Sequence, residues 1–184
     1  MVLRIEAAAK VGAEVIEGAS ETSPTRRVRR SQVVWFLILL VVAWLAMTVS
    51  HELGHIVAGV CCGGTLESYS LSPVTLPYSI FNLDPYLLIT LGCGPLLEVS
   101  MSFVLALTFR KRAFWFIAYF CGLANGLYLA VAWVSGDRYL DTPKLLEHGA
   151  WPASVLAFCV VTIIVGYVGF RHECQVHLAT SQRG

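Results

Sequence analysis

Four long runs of apolar residues, broken by clusters of charge, constrain this chain more than any other feature. Val33 to Val49 contains no charged residue, and a helical pattern continues through Cys62 to a Gly63-Gly64 stop. At about 1.5 Å per residue those 30 residues reach roughly 45 Å, more than the ~30 Å hydrocarbon core of a bilayer requires. The other runs are Tyr86–Phe109, Ala113–Ser135 and Pro152–Phe170. Apolar residues make up 57% of the chain and charged residues 14%. A soluble domain of 184 residues keeps too much surface exposed to hide that excess. Disorder is excluded over most of the length, because it needs low hydrophobicity. The formal net charge of +1 gives no basic surface for nucleic acid. The expected class is therefore an all-α, polytopic membrane protein with about four transmembrane helices in the lipid bilayer.

The charges set the organisation. Residues 1–32 read as a polar, basic tail, with a short helix over Leu3 to Glu17 and the basic run Arg26 to Arg30. The following apolar stretch is too long for the core of a cleaved signal and lacks a small-residue cleavage site. Residues 33–170 form the membrane domain, and 171–184 a second polar tail. Eleven of the thirteen basic residues lie in the two tails and between the second and third spans; only Arg138 and Lys144 lie opposite. By the positive-inside rule both termini are cytosolic, and loops 63–85 and 136–151 face the other side. Trp35 and Trp151 then sit at the inner and outer interfaces. Six cysteines form no disulfide framework, since Cys93, Cys121 and Cys159 fall inside spans and behave there as small hydrophobes.

Ionisable groups inside an apolar span are costly and point to function. The first span carries His51-Glu52-Leu53-Gly54-His55. Residues i and i+4 share a helix face, so both imidazoles reach one metal ion. Glu52 is offset by one residue, which suits a proton acceptor that is not itself a ligand. This is the H-E-x-x-H arrangement of zinc hydrolases. A catalytic zinc takes three protein ligands and keeps one position open. The expected cofactor is thus Zn²⁺, with His51 and His55 as two ligands and Glu52 as the catalytic base. Acidic or imidazole candidates for the third ligand on the same side are Asp84, Asp137, Asp141, Glu147 and His148, with Glu98 inside the second span. Glu98 reads either as a partner orienting a ligand histidine or as a protonated acid bonded between helices. Asn125 reads as a substrate contact or as a polar tie between helices. In the second tail, His172, Cys174 and His177 read as solvated rather than as a metal site.

The run His51 to Val60 followed by Gly63-Gly64 resembles the first motif of the site-2 protease family of intramembrane zinc metalloproteases. Gly94-Pro95 is similar to the Gly-Pro of a later helix in that family. Leu140-Asp141-Thr142-Pro143 is similar to its Leu-Asp element, with Thr-Pro in place of Gly-Gly. The resemblance spans roughly residues 33–170. It implies a zinc site between the first helix and the start of a short helix after the third, with Asp141 as third ligand in preference to Asp137. It also implies hydrolysis of peptide bonds in or near transmembrane segments of other membrane proteins. The segment 65–85, rich in Ser, Thr and Pro, is expected to offer an extended edge to such a substrate. The alternative is a membrane metal-binding or transport protein that uses the same histidines without proteolysis.

Overall fold

The computed structural model describes residues 30–179; the expected helix over Leu3 to Glu17 lies outside them. Within them the chain runs α1 (Arg30–Cys61), β1 (Thr65–Ser70), β2 (Tyr78–Leu83), α2 (Leu87–Phe109), α3 (Arg112–Ser135), α4 (Asp141–Glu147) and α5 (Pro152–Ala179). Four of these helices, α1, α2, α3 and α5, are long and apolar enough to cross a membrane. Only 22% of the most apolar window of α1 is buried within the protein, so most of its Val, Leu and Ile side chains face outward. That surface suits lipid rather than water.

Helix ends follow local chemistry. Gly63 stops α1 at φ +85°, with its N–H on the Val60 carbonyl. Gly136 closes α3 in the left-handed region at φ +64°, a conformation strained for residues with a side chain. Helix α5 extends nine residues beyond the Phe170 end expected from the apolar run. Glu173 explains the extension: it is buried, with Arg112 of α3 and His177 one turn on each 3.9 Å away. Polar residues that looked like a solvated tail are thus folded against the helical bundle.

The fold is not purely helical. Strands β1 and β2 form an antiparallel hairpin, with Ser70 opposite Tyr78 and Thr65 opposite Leu83. The sequence alternates apolar and polar residues only loosely and the ladder is interrupted near Leu66, which is why the sequence predicts no more than an extended segment. The hairpin leans on α1, where a Cβ at Gly59 would fall inside the Phe81 ring.

Helix α3 is central and packs on α1, α2 and α5. Small residues permit the approach, as in many membrane bundles. Gly166 of α5 lies against the Leu123 backbone, and Gly126 of α3 lies against Thr162. Helices α1 and α2 meet at Gly54, where a Cβ would come 2.5 Å from the Cys93 carbonyl oxygen and 2.8 Å from the Gly94 Cα. One buried cluster joins Leu39, Ala43 and Phe116; another joins Leu129, Val155 and Cys159. The second anchors the end of the bundle on which α4 rests, because Leu146 packs against it.

Candidate metal centre

The glycine contact between α1 and α2 places the histidines. His55 lies directly over Gly94, and any side chain there would occupy the imidazole ring. Its Nδ1 donates to the Thr90 carbonyl at 2.8 Å, which leaves Nε2 as the lone-pair nitrogen. That Nε2 lies 3.6 Å from Oδ2 of Asp141. One turn earlier, His51 Nδ1 donates to Glu98 Oε2 at 3.0 Å, and His51 Nε2 lies 2.9 Å from the same Asp141 Oδ2. The two rings stand edge to face with centroids 4.8 Å apart.

Asp141 reaches this point because α4 is pinned. Thr142, fully buried, donates from Oγ1 to the Leu129 carbonyl of α3 at 2.8 Å. Pro143 follows at the start of the short helix, where a missing N–H has no consequence. Burial alone would raise the Asp141 carboxyl, but hydrogen bonds and charge from His51 and His55 hold it below the usual carboxylate range.

Glu98 is 1% exposed and links two helices. Besides His51 it accepts from Asn125 Nδ2 of α3, and Asn125 also donates to the Pro95 carbonyl at 3.3 Å. A line of polar contacts therefore runs from Asn125 of α3 through Glu98 of α2 and His51 of α1 to Asp141 of α4. A carboxylate behind an imidazole fixes its tautomer and orientation, as it does around metal-bound histidines. Asp84 supports the other imidazole less directly, because its Oδ1 accepts from Thr90 Oγ1 at 3.1 Å.

Glu52 is 6% exposed, and its Oε2 has no hydrogen-bond partner. Ser79 of β2 lies along the same cavity wall as this carboxylate. Ligand atoms of His51, Glu52 and His55 lie within 4.8 Å of one another, close enough to hold a metal ion. The donor set fits a tetrahedral ion: bonds of about 2.0–2.1 Å space the ligand atoms roughly 3.3 Å apart. The two imidazole-to-Asp141 separations, 2.9 and 3.6 Å, bracket that spacing.

Asp137 is exposed and caps its own turn through the Tyr139 N–H at 3.0 Å, away from the histidines. His148 bonds back to the Lys144 carbonyl. His172, Cys174 and His177 belong to α5 and are not drawn into this site.

Sequence reasoning missed Tyr128. Its ring stands edge-on to His51 at 5.7 Å, and the residue lies beside Asp141. The available signal was its position three residues after Asn125, on the same face of α3. The Thr90 contact left no side-chain signal, because it acts through its backbone carbonyl.

Two cavities meet at the site. The larger, about 780 Å³, runs between β2 and α4 with Glu52, His55 and Asp141 in its wall and Asp84, Arg138 and Lys144 around it. The smaller, about 250 Å³, extends along α1 past His51. No family model, no curated protein and no solved structure matches this chain.

Proposed function

We propose that this protein is an intramembrane zinc metalloprotease of the site-2 protease kind. The observation that carries the proposal is the convergence of His51, His55 and Asp141 beside the unpartnered carboxylate oxygen of Glu52. His51 Nε2, His55 Nε2 and an Asp141 carboxylate oxygen would hold the ion. Bound zinc supplies Lewis acidity and lowers the pKa of an attacking water towards about 7.

The remaining chemistry belongs to the chain. Glu52 takes the proton from the attacking water and returns it to the leaving amine. Its free Oε2 can receive that proton without first breaking a bond inside the protein. Glu98 and the Thr90 carbonyl keep each imidazole in the tautomer that presents Nε2. The larger cavity, ringed by charged residues, admits water to a site within an otherwise apolar bundle. A helical substrate hides its carbonyls in intrahelical bonds and must unwind before attack. Among the described residues β2 pairs only with β1, so its other edge is open to an unwound strand, and Tyr78 to Phe81 line the cavity. The charge distribution puts both termini in the cytosol, with the hairpin and α4 on the opposite side.

The test uses the purified full chain in detergent. The wild type should hold about one zinc per chain and cut added transmembrane peptides. Glu52→Gln should keep the zinc and stop cleavage. Cleavage undiminished in Glu52→Gln would sink the mechanism. Zinc binding without any cleavage by wild type would favour a metal-binding or transport protein instead.

A further inference from the structure

The smaller cavity has features that the hydrolytic chemistry does not require. Trp44, Met47 and Thr48 of α1 form one wall, and Pro73, Leu76 and Pro77 of the hairpin turn form the other. Trp44 lies two helical turns before His51, roughly 10 Å along α1. The chamber therefore leads from the site along α1 towards the middle of that apolar span. Glu52, Tyr128, Leu76 and Pro77 line both cavities, so the two adjoin at the base.

The polar end of the chamber is specific. Glu98 Oε1 and Asn125 Oδ1 are buried there without hydrogen-bond partners. Asn125 spends its Nδ2 on Glu98 and Pro95, which leaves its Oδ1 as an acceptor. A lipid acyl chain would leave both acceptors unpaired, a state that is costly in a dry site. A peptide residue carries an apolar side chain and also supplies a backbone N–H. A cavity of about 150 Å³ already takes a benzene ring. One of about 250 Å³ holds a Leu, Met or Phe side chain.

We propose that this chamber is the pocket that selects the substrate residue next to the scissile bond, and that it takes a large apolar side chain. Resting as it does on the metalloprotease assignment, it names the substrate class: segments with Leu, Met or Phe beside the cut. The hairpin turn supplies half of the pocket, so its position decides which side chains enter.

Amino-acid hydroxamates, which chelate zinc and carry one side chain, test this without relying on proteolysis. Binding of glycine, alanine, leucine and phenylalanine hydroxamates to the zinc-loaded full chain is measured by calorimetry. Affinity should rise along the series, by at least about tenfold from glycine to leucine or phenylalanine. Thr48→Phe, which fills the chamber, should reduce that ratio to about one. Met47→Trp fills it from a less buried position and should act the same way should Thr48→Phe fail to fold. Equal affinities across the series in wild type would overturn the pocket while leaving the metal site standing. Octanohydroxamate binding more tightly than the phenylalanine compound would assign the chamber to an acyl chain and overturn the pocket too. Failure to hold zinc at all would overturn the metalloprotease assignment and this pocket with it.

Discussion

The Nε2 of His51 and the Oδ2 of Asp141 lie 2.9 Å apart although 90 residues separate them in the chain. The contact joins the first long helix to a seven-residue helix that begins at Asp141 itself. Nothing in α4 alone would hold it there. Thr142, bonded to the Leu129 carbonyl, and Leu146, packed on the Leu129 cluster, fix its position from α3. The cluster is thus assembled by helix packing, and Asp141 is as firmly placed as the two histidines.

That placement separates two acids that are close in sequence. Asp141→Asn removes the charge of a carboxylate that both imidazoles face and should weaken zinc binding by at least about a hundredfold. Asp137→Asn alters an exposed turn and should leave zinc affinity within about threefold, the range expected of a surface change. Competition against a chelator of known affinity measures both. Equal losses in the two variants would contradict the assignment of Asp141.

Glu98 should act through His51 rather than on substrate alone. Glu98→Gln keeps the shape but weakens the hydrogen bond that fixes the imidazole, and zinc affinity should fall by about 10–100-fold. Asn125→Leu removes a donor to Glu98 and should give a smaller loss in the same direction. Unchanged zinc affinity in Glu98→Gln, measured by the same chelator competition, would assign the acid a purely interhelical role.

Much of this was legible in the sequence because membranes make patterns severe. Apolar runs fix where the spans begin and, except for α5, where they end to within a few residues, and Gly63 and Gly136 mark two of the stops. The His51–His55 spacing needs only helical geometry. The hairpin was less legible: a strand needs a partner, and Thr65 to Ser70 alternates too weakly to announce one. The end of α5 was obscured because Arg171, His172 and Glu173 interrupt the apolar run without interrupting the helix. Glu98 was visible as an intramembrane acid, but its bond to His51 depends on how α1 crosses α2. That crossing depends in turn on Gly54 and Gly94, whose role is to have no side chain.

Acid should weaken the metal-free protein through Asp141 only at low pH. Its folded carboxyl is held below the usual range by His51 and His55, so its contribution is full above the unfolded value of about 3.9. It is lost as pH falls through the lower folded value. In chelator-treated protein, Asp141→Asn should therefore melt below wild type near neutral pH. The gap in Tm should narrow only as pH drops below about 4. A gap that closes between pH 7 and 5 would place the stabilising ionisation elsewhere.

The glycine contact between α1 and α2 gives the sharpest test of how packing builds the site. A methyl group at Gly94 would collide with the His55 ring, which is already held by its bond to the Thr90 carbonyl. Gly94→Ala should cost about 1–3 kcal/mol through overpacking. It should also lower zinc affinity, because the ring must turn away from Asp141. Gly92, two residues earlier on the same helix, has nothing within 4 Å of a Cβ. Gly92→Ala should leave both stability and zinc binding unharmed. Thermal unfolding in detergent with and without zinc separates the two effects. A Gly94→Ala protein that melts and binds zinc like wild type would mean that His55 is not seated on α2 as described.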